Sequence, residues 1–139
     1  MIIMSVDVGL ARTGIAVSDK SETFAFPKTV IKEYNREKLL QRVKECAAEY
    51  SAEMIVVGLP RNMNGSEGFK AEECKEFAEK LQASVDMAVE MWDERCTTVS
   101  AHTALNFNDV RGKKRKNVVD AVAAVMILED FMRYRKNSK

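Results

Sequence analysis

The sequence contains little of what thiolate metal sites and disulfide scaffolds require. It has three cysteines and a single histidine, His102, among 139 residues. Cys46, Cys74 and Cys96 are odd in number and widely spaced, and no Cys-x-x-Cys pair occurs. Because disulfide frameworks need paired cysteines and zinc sites need closely spaced Cys and His ligands, neither is expected. The sequence instead predicts three reduced, packed thiols, which is typical of a cytoplasmic protein.

Long apolar runs and a strong excess of one charge are also missing. No apolar segment approaches the roughly 20 residues that a membrane span needs, and the first residues lack the pattern of a secretory leader. The formal net charge is only +1, so only a local cluster of charge could argue for nucleic-acid binding. With 46% hydrophobic residues, residues 1–139 are predicted to form one domain without disulfide support.

Short apolar runs separated by turn residues predict the order of secondary structure. Three strands come first, at 2–6, 15–17 and 24–31, and Pro27 gives the third the character of an edge strand. Then follow a helix at 36–50, a strand at 54–57, a helix at 69–83, a strand at 87–92, a helix starting near Thr97 and a final helix at 118–133. This order predicts an α/β fold with a mixed five-stranded sheet and helices on both faces.

Three acidic residues stand at the ends of predicted elements. Asp7 ends the first strand, Glu94 follows the fifth, and Asp120 heads the apolar stripe of the final helix. Each has an ordinary structural explanation: a turn residue, an exposed charge and a helix-dipole partner. A carboxylate at the head of a buried stripe must nevertheless be hydrogen-bonded, neutralised or metal-bound. Together the three predict a ligand site beyond the carboxyl ends of the strands.

The donor set of this acidic cluster suits phosphodiester cleavage. Carboxylate oxygens are the ligands that Mg²⁺ or Mn²⁺ prefers, and one or two such ions can shield the charge that develops on a phosphate. No Cys or His constellation offers a protein nucleophile, so we expect water to attack the phosphorus. The sequence therefore favours a divalent-metal-dependent nuclease.

Local basic and polar residues supply candidate phosphate contacts. Residues 111–116 contain five basic residues and are predicted to form either a solvated loop or a clamp on a nucleic-acid backbone. For Arg12 we favour a phosphate contact, and for Arg95 a structural pairing with a carboxylate. A polar loop before the second helix is a second candidate for phosphate binding or a simple helix cap. The basic candidates are Arg12, Arg95, Arg111, Lys113, Lys114, Arg115 and Lys116, and the candidates near phosphate are Gly9, Asn62, Asn64 and Ser66.

Four segments, in order and at matching spacing, resemble the YqgF/RuvX family of Holliday-junction-resolvase-like pre-16S rRNA nucleases. They are VDVGLARTGIAVSD at 6–19, VVGLPRNMNGS at 56–66, DERCTT at 93–98 and VVDAVAAVMILEDF at 118–131. The resemblance implies an RNase H-like fold and a cytoplasmic, metal-dependent endonuclease that matures the 5′ end of 16S rRNA. Its implied metal-binding and catalytic acids are Asp7, Glu94 and Asp120. The basic and polar residues of its motifs map to Arg12, Arg95, Thr97 and Thr98, and the two threonines are expected near the phosphate. Structured RNA, branched DNA and ribosomal precursor particles are the implied partners, and the protein is expected to be a monomer or homodimer.

Two positions depart from the family pattern. Asn64 stands where the family commonly has Asp, which removes one outer carboxylate, although Asn also suits a turn. Cys96 replaces a usual Leu and is interpreted as an apolar exchange. With fewer acids than related resolvases, the sequence leaves the number of metal ions open.

Two other classes of function remain open at this point. A non-catalytic nucleic-acid-binding module could keep the same fold and bind RNA in a salt-sensitive way without cleaving it. An ATPase or phosphotransferase could use the turn at Asp7-x-Gly9 for phosphate, but such enzymes carry a second copy of the fold, and this chain has one. Cleavage and ATP-turnover assays distinguish these three classes.

Overall fold

The computed structural model describes residues 1–9, 11–59, 69–93 and 113–137. At residues 59, 69–71, 93 and 113–121 it describes the backbone only. Five strands and three helices lie in these ranges. The strands are β1 (Ile3–Asp7), β2 (Arg12–Ser18), β3 (Ala25–Lys32), β4 (Met54–Leu59) and β5 (Ala88–Asp93), and the helices are α1 (Arg36–Glu49), α2 (Phe69–Ser84) and α3 (Lys113–Asn137).

The five strands form one mixed sheet in the order β3-β2-β1-β4-β5. β1 pairs antiparallel with β2, and β2 with β3, whereas β1 pairs parallel with β4, and β4 with β5. The predicted antiparallel start followed by parallel strands is therefore confirmed. Because β1, β4 and β5 are parallel, their carboxyl ends lie at one edge of the sheet, which we call the carboxyl edge.

Helices cover both faces of the sheet, as the alternation of strands and helices predicted. α1 and α2 bury their apolar stripes on one face, where Leu39, Val43, Phe77 and Leu81 join alternate strand residues in a core cluster. On the other face α3 packs through Ala124, Ile127, Leu128, Phe131 and Met132. The predicted stripe of the final helix is thus buried, and β1 is covered from both sides.

The start of α3 differs from the prediction. The final helix was expected at 118–133, with residues 111–116 as a loop, but α3 begins at Lys113. Lys113, Lys114, Arg115 and Lys116 therefore belong to the first turns of a helix. Lys and Arg are good helix formers, and no Gly or Pro separates them from the apolar stripe. Propensity and the cooperativity of a 25-residue helix outweigh the unfavourable charge at its amino end, where the first turn has no acidic residue.

Smaller differences concern strand limits and thiols. β2 begins at Arg12 rather than at residue 15, because its pairing with β3 extends to Arg12 opposite Lys32. Cys46 and Cys74 are thiols that form no disulfide; Cys74 is buried and Cys46 half-buried. The predicted helix near Thr97 falls in a range that the structure does not describe. Among the described helices, none is long and apolar enough to cross a membrane.

Candidate active site

Asp7 is the last residue of β1 and lies at the carboxyl edge. Alternation along the strand puts it on the same face as Ile3 and Ser5, which is the face that α3 covers. The Asp7 side chain is half-exposed. Its carboxylate has no hydrogen-bond or ion-pair partner among the described residues.

A single buried hydrogen bond sets the position of α3 along β1. The Ser5 hydroxyl donates to the Ala124 carbonyl oxygen at 2.7 Å, and Ser5 is completely buried. The two residues are 119 positions apart in sequence. This contact therefore fixes which turn of α3 faces which residue of the central strand.

The direction of α3 brings its amino-terminal half to the carboxyl edge. At the other end of the helix, Arg135 approaches Met54, which is paired with Ile3 at the amino end of β1. From Ala124, residue 120 is one helical turn, about 6 Å, toward the carboxyl edge. From Ser5, Asp7 is two residues, about 6.6 Å, in the same direction. The backbone position of Asp120 is thus level with Asp7 on the same face, although the structure does not describe its side chain.

β5 ends at the same edge, immediately before Glu94. The backbone of Asp93 pairs with Leu59, the last residue of β4, and Trp92 pairs with Gly58. Glu94 itself lies outside the described residues. Of the three predicted carboxylates, Asp7 lies at the carboxyl edge, the backbone of residue 120 belongs to the helix that covers the same face, and Glu94 lies outside the described residues.

The turn after Asp7 is held tightly from several sides. A Cβ at Gly9 would overlap the carbonyl oxygen of Arg12, so only glycine fits there. The Arg36 guanidinium donates from Nη2 to the Gly9 carbonyl oxygen at 3.0 Å, and the Glu33 N–H donates to the Ala11 carbonyl oxygen at 3.0 Å. The start of α1 therefore braces the segment that follows the candidate catalytic carboxylate.

Arg12 begins β2 at this edge. It is paired with Lys32, and alternation from Ala16 places it on the face that α3 covers. Within the described part of the chain its guanidinium has no hydrogen-bond or ion-pair partner. It does not hold Asp7 in place, which favours the phosphate-binding interpretation of this residue.

Comparison with known proteins identifies the family of this fold. The family model described as "RuvX: Holliday junction resolvase" matches residues 1–134. The chain belongs to the RuvX family. It is 41% identical over 138 residues to a protein of Thermoanaerobacter pseudethanolicus named "Putative pre-16S rRNA nuclease", with 99% of both chains covered. A Listeria monocytogenes protein of the same name is 45% identical over 134 residues, covering 95% of this chain and 97% of its own.

A solved structure supports the fold at lower sequence identity. The chain resembles RuvC of T. thermophilus in complex with a Holliday junction substrate, with a TM-score of 0.65 and 14% identity. The match covers 99% of this chain and 97% of that chain. At this identity the likeness establishes the fold, which is RNase H-like, as the sequence predicted.

RuvX membership raises the question whether these residues suit a divalent metal. A half-exposed carboxylate at a strand end, with no partner among the described residues, is a suitable hard oxygen donor for Mg²⁺ or Mn²⁺. Among the residues with described side chains, no group of three or more His, Cys, Asp or Glu could hold a metal ion. That set includes Asp7 but neither Glu94 nor the side chain of Asp120. The chemistry of the Asp7 carboxylate suits such an ion.

The remaining predicted contacts fall in segments that the structure does not describe. These are Arg95, Arg111, Asn62, Asn64, Ser66, Thr97 and Thr98. For Lys113, Lys114, Arg115 and Lys116 the backbone is described and the side chains are not. Their assignment to phosphate contacts stays a prediction, now from the amino end of α3 rather than from a loop.

The structural roles of Ser5 and Arg36 were not predicted from the sequence. A serine inside an apolar strand was a usable signal, because a buried hydroxyl needs a partner. Its partner, a helix carbonyl 119 residues away, had no signal of its own. Arg36 is one of many basic residues on α1, and nothing in the helical pattern distinguishes it.

Proposed function

We propose that this protein is a divalent-metal-dependent endonuclease that cleaves phosphodiester bonds in structured RNA during maturation of the 5′ end of pre-16S rRNA. Its membership of the RuvX family makes it a nuclease. The observation that supports the metal-dependent part is the half-exposed Asp7 carboxylate at the carboxyl edge, which has no partner among the described residues and lies about level with residue 120 on the face that α3 covers. The names of two relatives support pre-16S rRNA as the substrate. A cytoplasmic location is part of the same proposal.

In this proposal Asp7, Glu94 and Asp120 are the ligands that hold Mg²⁺ or Mn²⁺. When bound, such an ion shields the charge on the phosphate and makes water a stronger nucleophile. Asp7 contributes a carboxylate whose position the braced turn at Gly9 restricts. Restricting a ligand in advance lowers the cost of arranging the site at the moment of reaction.

The basic residues of the same edge have a separate role, which is to hold the substrate backbone. Arg12 offers a guanidinium that no described residue occupies, and a guanidinium can grip a phosphate with two hydrogen bonds. The basic residues 111–116 neutralise further phosphates from the amino end of α3. Contacts of this kind position a nucleic acid without reading its sequence.

Branched DNA is the alternative substrate. The family description and the likeness to a resolvase that binds a Holliday junction favour this possibility. Both substrates expose phosphates at a distorted backbone, so the carboxylate site does not distinguish them. A competition assay between the RNA and the branched DNA distinguishes the two substrates.

The test compares cleavage of a labelled pre-16S rRNA 5′ fragment and a labelled four-way DNA junction, with Mg²⁺, Mn²⁺ or EDTA. We expect metal-dependent cleavage that prefers the RNA fragment. Asp7→Asn should lower the rate more than about 100-fold, since losing a ligand costs more than losing its supporting partner. Asp86→Asn is the matched control, because Asp86 is exposed and precedes the amino end of β5, at the opposite edge.

Three outcomes count against the proposal. Full activity of Asp7→Asn would show that the Asp7 carboxylate takes no part in the reaction. Unchanged cleavage in EDTA would show that the reaction needs no divalent metal. Salt-sensitive binding of RNA without any product supports the non-catalytic module instead.

A further inference from the structure

One exposed aromatic side chain lies beside the carboxyl edge. Tyr34 is in the short link between β3, which ends at Lys32, and α1, which begins at Arg36. This link is hydrogen-bonded to the segment after Asp7, because the neighbouring Glu33 N–H donates to the Ala11 carbonyl. The Tyr34 carbonyl itself accepts from Arg36 Nε at 3.4 Å. The backbone that carries this ring is therefore attached to the turn that follows the candidate catalytic carboxylate.

The exposure of Tyr34 is not explained by its position in the helix start. Asn35 caps α1 by accepting from the Lys38 N–H, so Tyr34 is the residue before the cap. An apolar residue there usually packs against the fourth helical residue, which is Leu39. Leu39 is completely buried, yet Tyr34 is 72% exposed. The ring therefore contributes little to capping or to the core.

Two cationic residues lie close to this position. Lys32 is exposed and stands two residues before Tyr34, opposite Arg12 in the β2–β3 ladder. The adjacent Glu33 carboxylate accepts a hydrogen bond from the Asn35 N–H at 3.2 Å. Two cationic side chains and one exposed ring are the elements of a platform for a nucleic-acid strand.

The separation from Asp7 suits a strand that continues from the cleaved bond. β1 and β3 are two strand spacings apart, about 10 Å across the sheet. At about 3.4 Å per stacked nucleotide this corresponds to about three nucleotides. An unpaired base near the cleavage position can reach the ring while its neighbouring phosphates contact Lys32 and Arg12.

We propose that Tyr34 stacks on an unpaired base of the substrate, next to the phosphate contacts of Arg12 and Lys32. The inference rests on the proposed binding of a nucleic acid at this edge. Stacking on an aromatic face tolerates any base, so the contact selects single-stranded substrate rather than sequence. It also gives an aromatic contact that the buried Phe77 and Phe131 cannot provide.

The experiment measures binding of the full chain to single-stranded RNA containing 2-aminopurine, without Mg²⁺ or Mn²⁺. Tyr34→Ala should weaken binding about 5- to 150-fold and abolish quenching of the probe, as expected for one lost base stack. Tyr34→Phe should retain both. Phe24→Ala is the matched control, because Phe24 is 62% exposed but lies in the β2–β3 hairpin loop at the opposite edge.

The salt dependence separates stacking from charge. Tyr34→Ala should leave the slope of log K against log salt unchanged, whereas Lys32→Ala should reduce it by about 0.7. Equal binding by Tyr34→Ala and wild type overturns the inference, as does an equal loss in Phe24→Ala. If the wild type cleaves nothing but Tyr34→Ala still loses binding, the stacking inference stands while the proposed enzymatic function fails.

Discussion

Replacing Ser5 by alanine tests the contact that joins α3 to the central strand. The change deletes the hydroxyl that donates to the Ala124 carbonyl at 2.7 Å in a completely buried setting. It leaves every charged residue of the candidate site in place. The effect on stability can therefore be separated from any direct effect on substrate.

The expected loss follows from the chemistry of this hydrogen bond. A buried neutral hydrogen bond contributes about 0.5–1.5 kcal/mol net. The Ala124 carbonyl also faces the helical N–H four residues later, so it is not left without a partner. We expect a loss of about 1 kcal/mol in the free energy of unfolding. For 139 residues the entropy of unfolding is about 0.3 kcal/mol/K, so Tm should fall by about 3 °C.

Urea and thermal unfolding followed by circular dichroism measure this loss. Ser84→Ala is the control, since the exposed Ser84 hydroxyl also donates to a helix carbonyl, that of Lys80, at 2.9 Å. It should show no loss, because alanine is the better helix former. Ser5→Val should cost about 1–3 kcal/mol by overpacking and should also slow cleavage by displacing α3. Equal stability of Ser5→Ala and wild type would show that the hydrogen bond between Ser5 and Ala124 does not stabilise the fold.

Three further changes have defined outcomes. Gly9→Ala should cost about 1–3 kcal/mol and lower kcat, because its Cβ would overlap the Arg12 carbonyl; urea unfolding and a cleavage assay check this. The hydrogen bond from Arg135 lowers the pKa of Glu22. The ionised Glu22 carboxylate therefore stabilises the fold above about pH 4.3, and this stabilisation is lost as the pH falls through the lowered pKa. Unfolding of Glu22→Gln should show a deficit of about 1 kcal/mol near pH 7 that shrinks near pH 3. Burial raises the pKa of Glu129, so Glu129→Gln should be more stable than wild type near pH 7 and not at low pH.

Much of the sheet could be predicted because burial on two faces leaves a clear pattern. β4 is apolar at every position from Met54 to Val57, as a central parallel strand must be. The position of Asp7 at a strand end then followed from where the first apolar run stops. The stripe of α3 was likewise visible, since its apolar residues recur at helical spacing.

Other features depend on contacts between distant segments or on competing local effects. The start of α3 was predicted too late, because the dense positive charge of Lys113 to Lys116 is typical of a loop, whereas helix propensity prevailed. The Ser5–Ala124 contact joins residues too far apart for any local pattern. The exposure of Tyr34 could not be predicted from the local sequence either, because an apolar residue before a helix cap often packs against the fourth residue of the helix.

Anomalous diffraction from a crystal soaked in Mn²⁺ tests most directly whether Asp7, Glu94 and Asp120 hold divalent metal at one site. We expect an anomalous peak, from one or two ions, with carboxylate oxygens of Asp7, Asp120 and Glu94 about 2.0–2.3 Å away. A peak elsewhere, or three carboxylates too far apart to form one site, would contradict it.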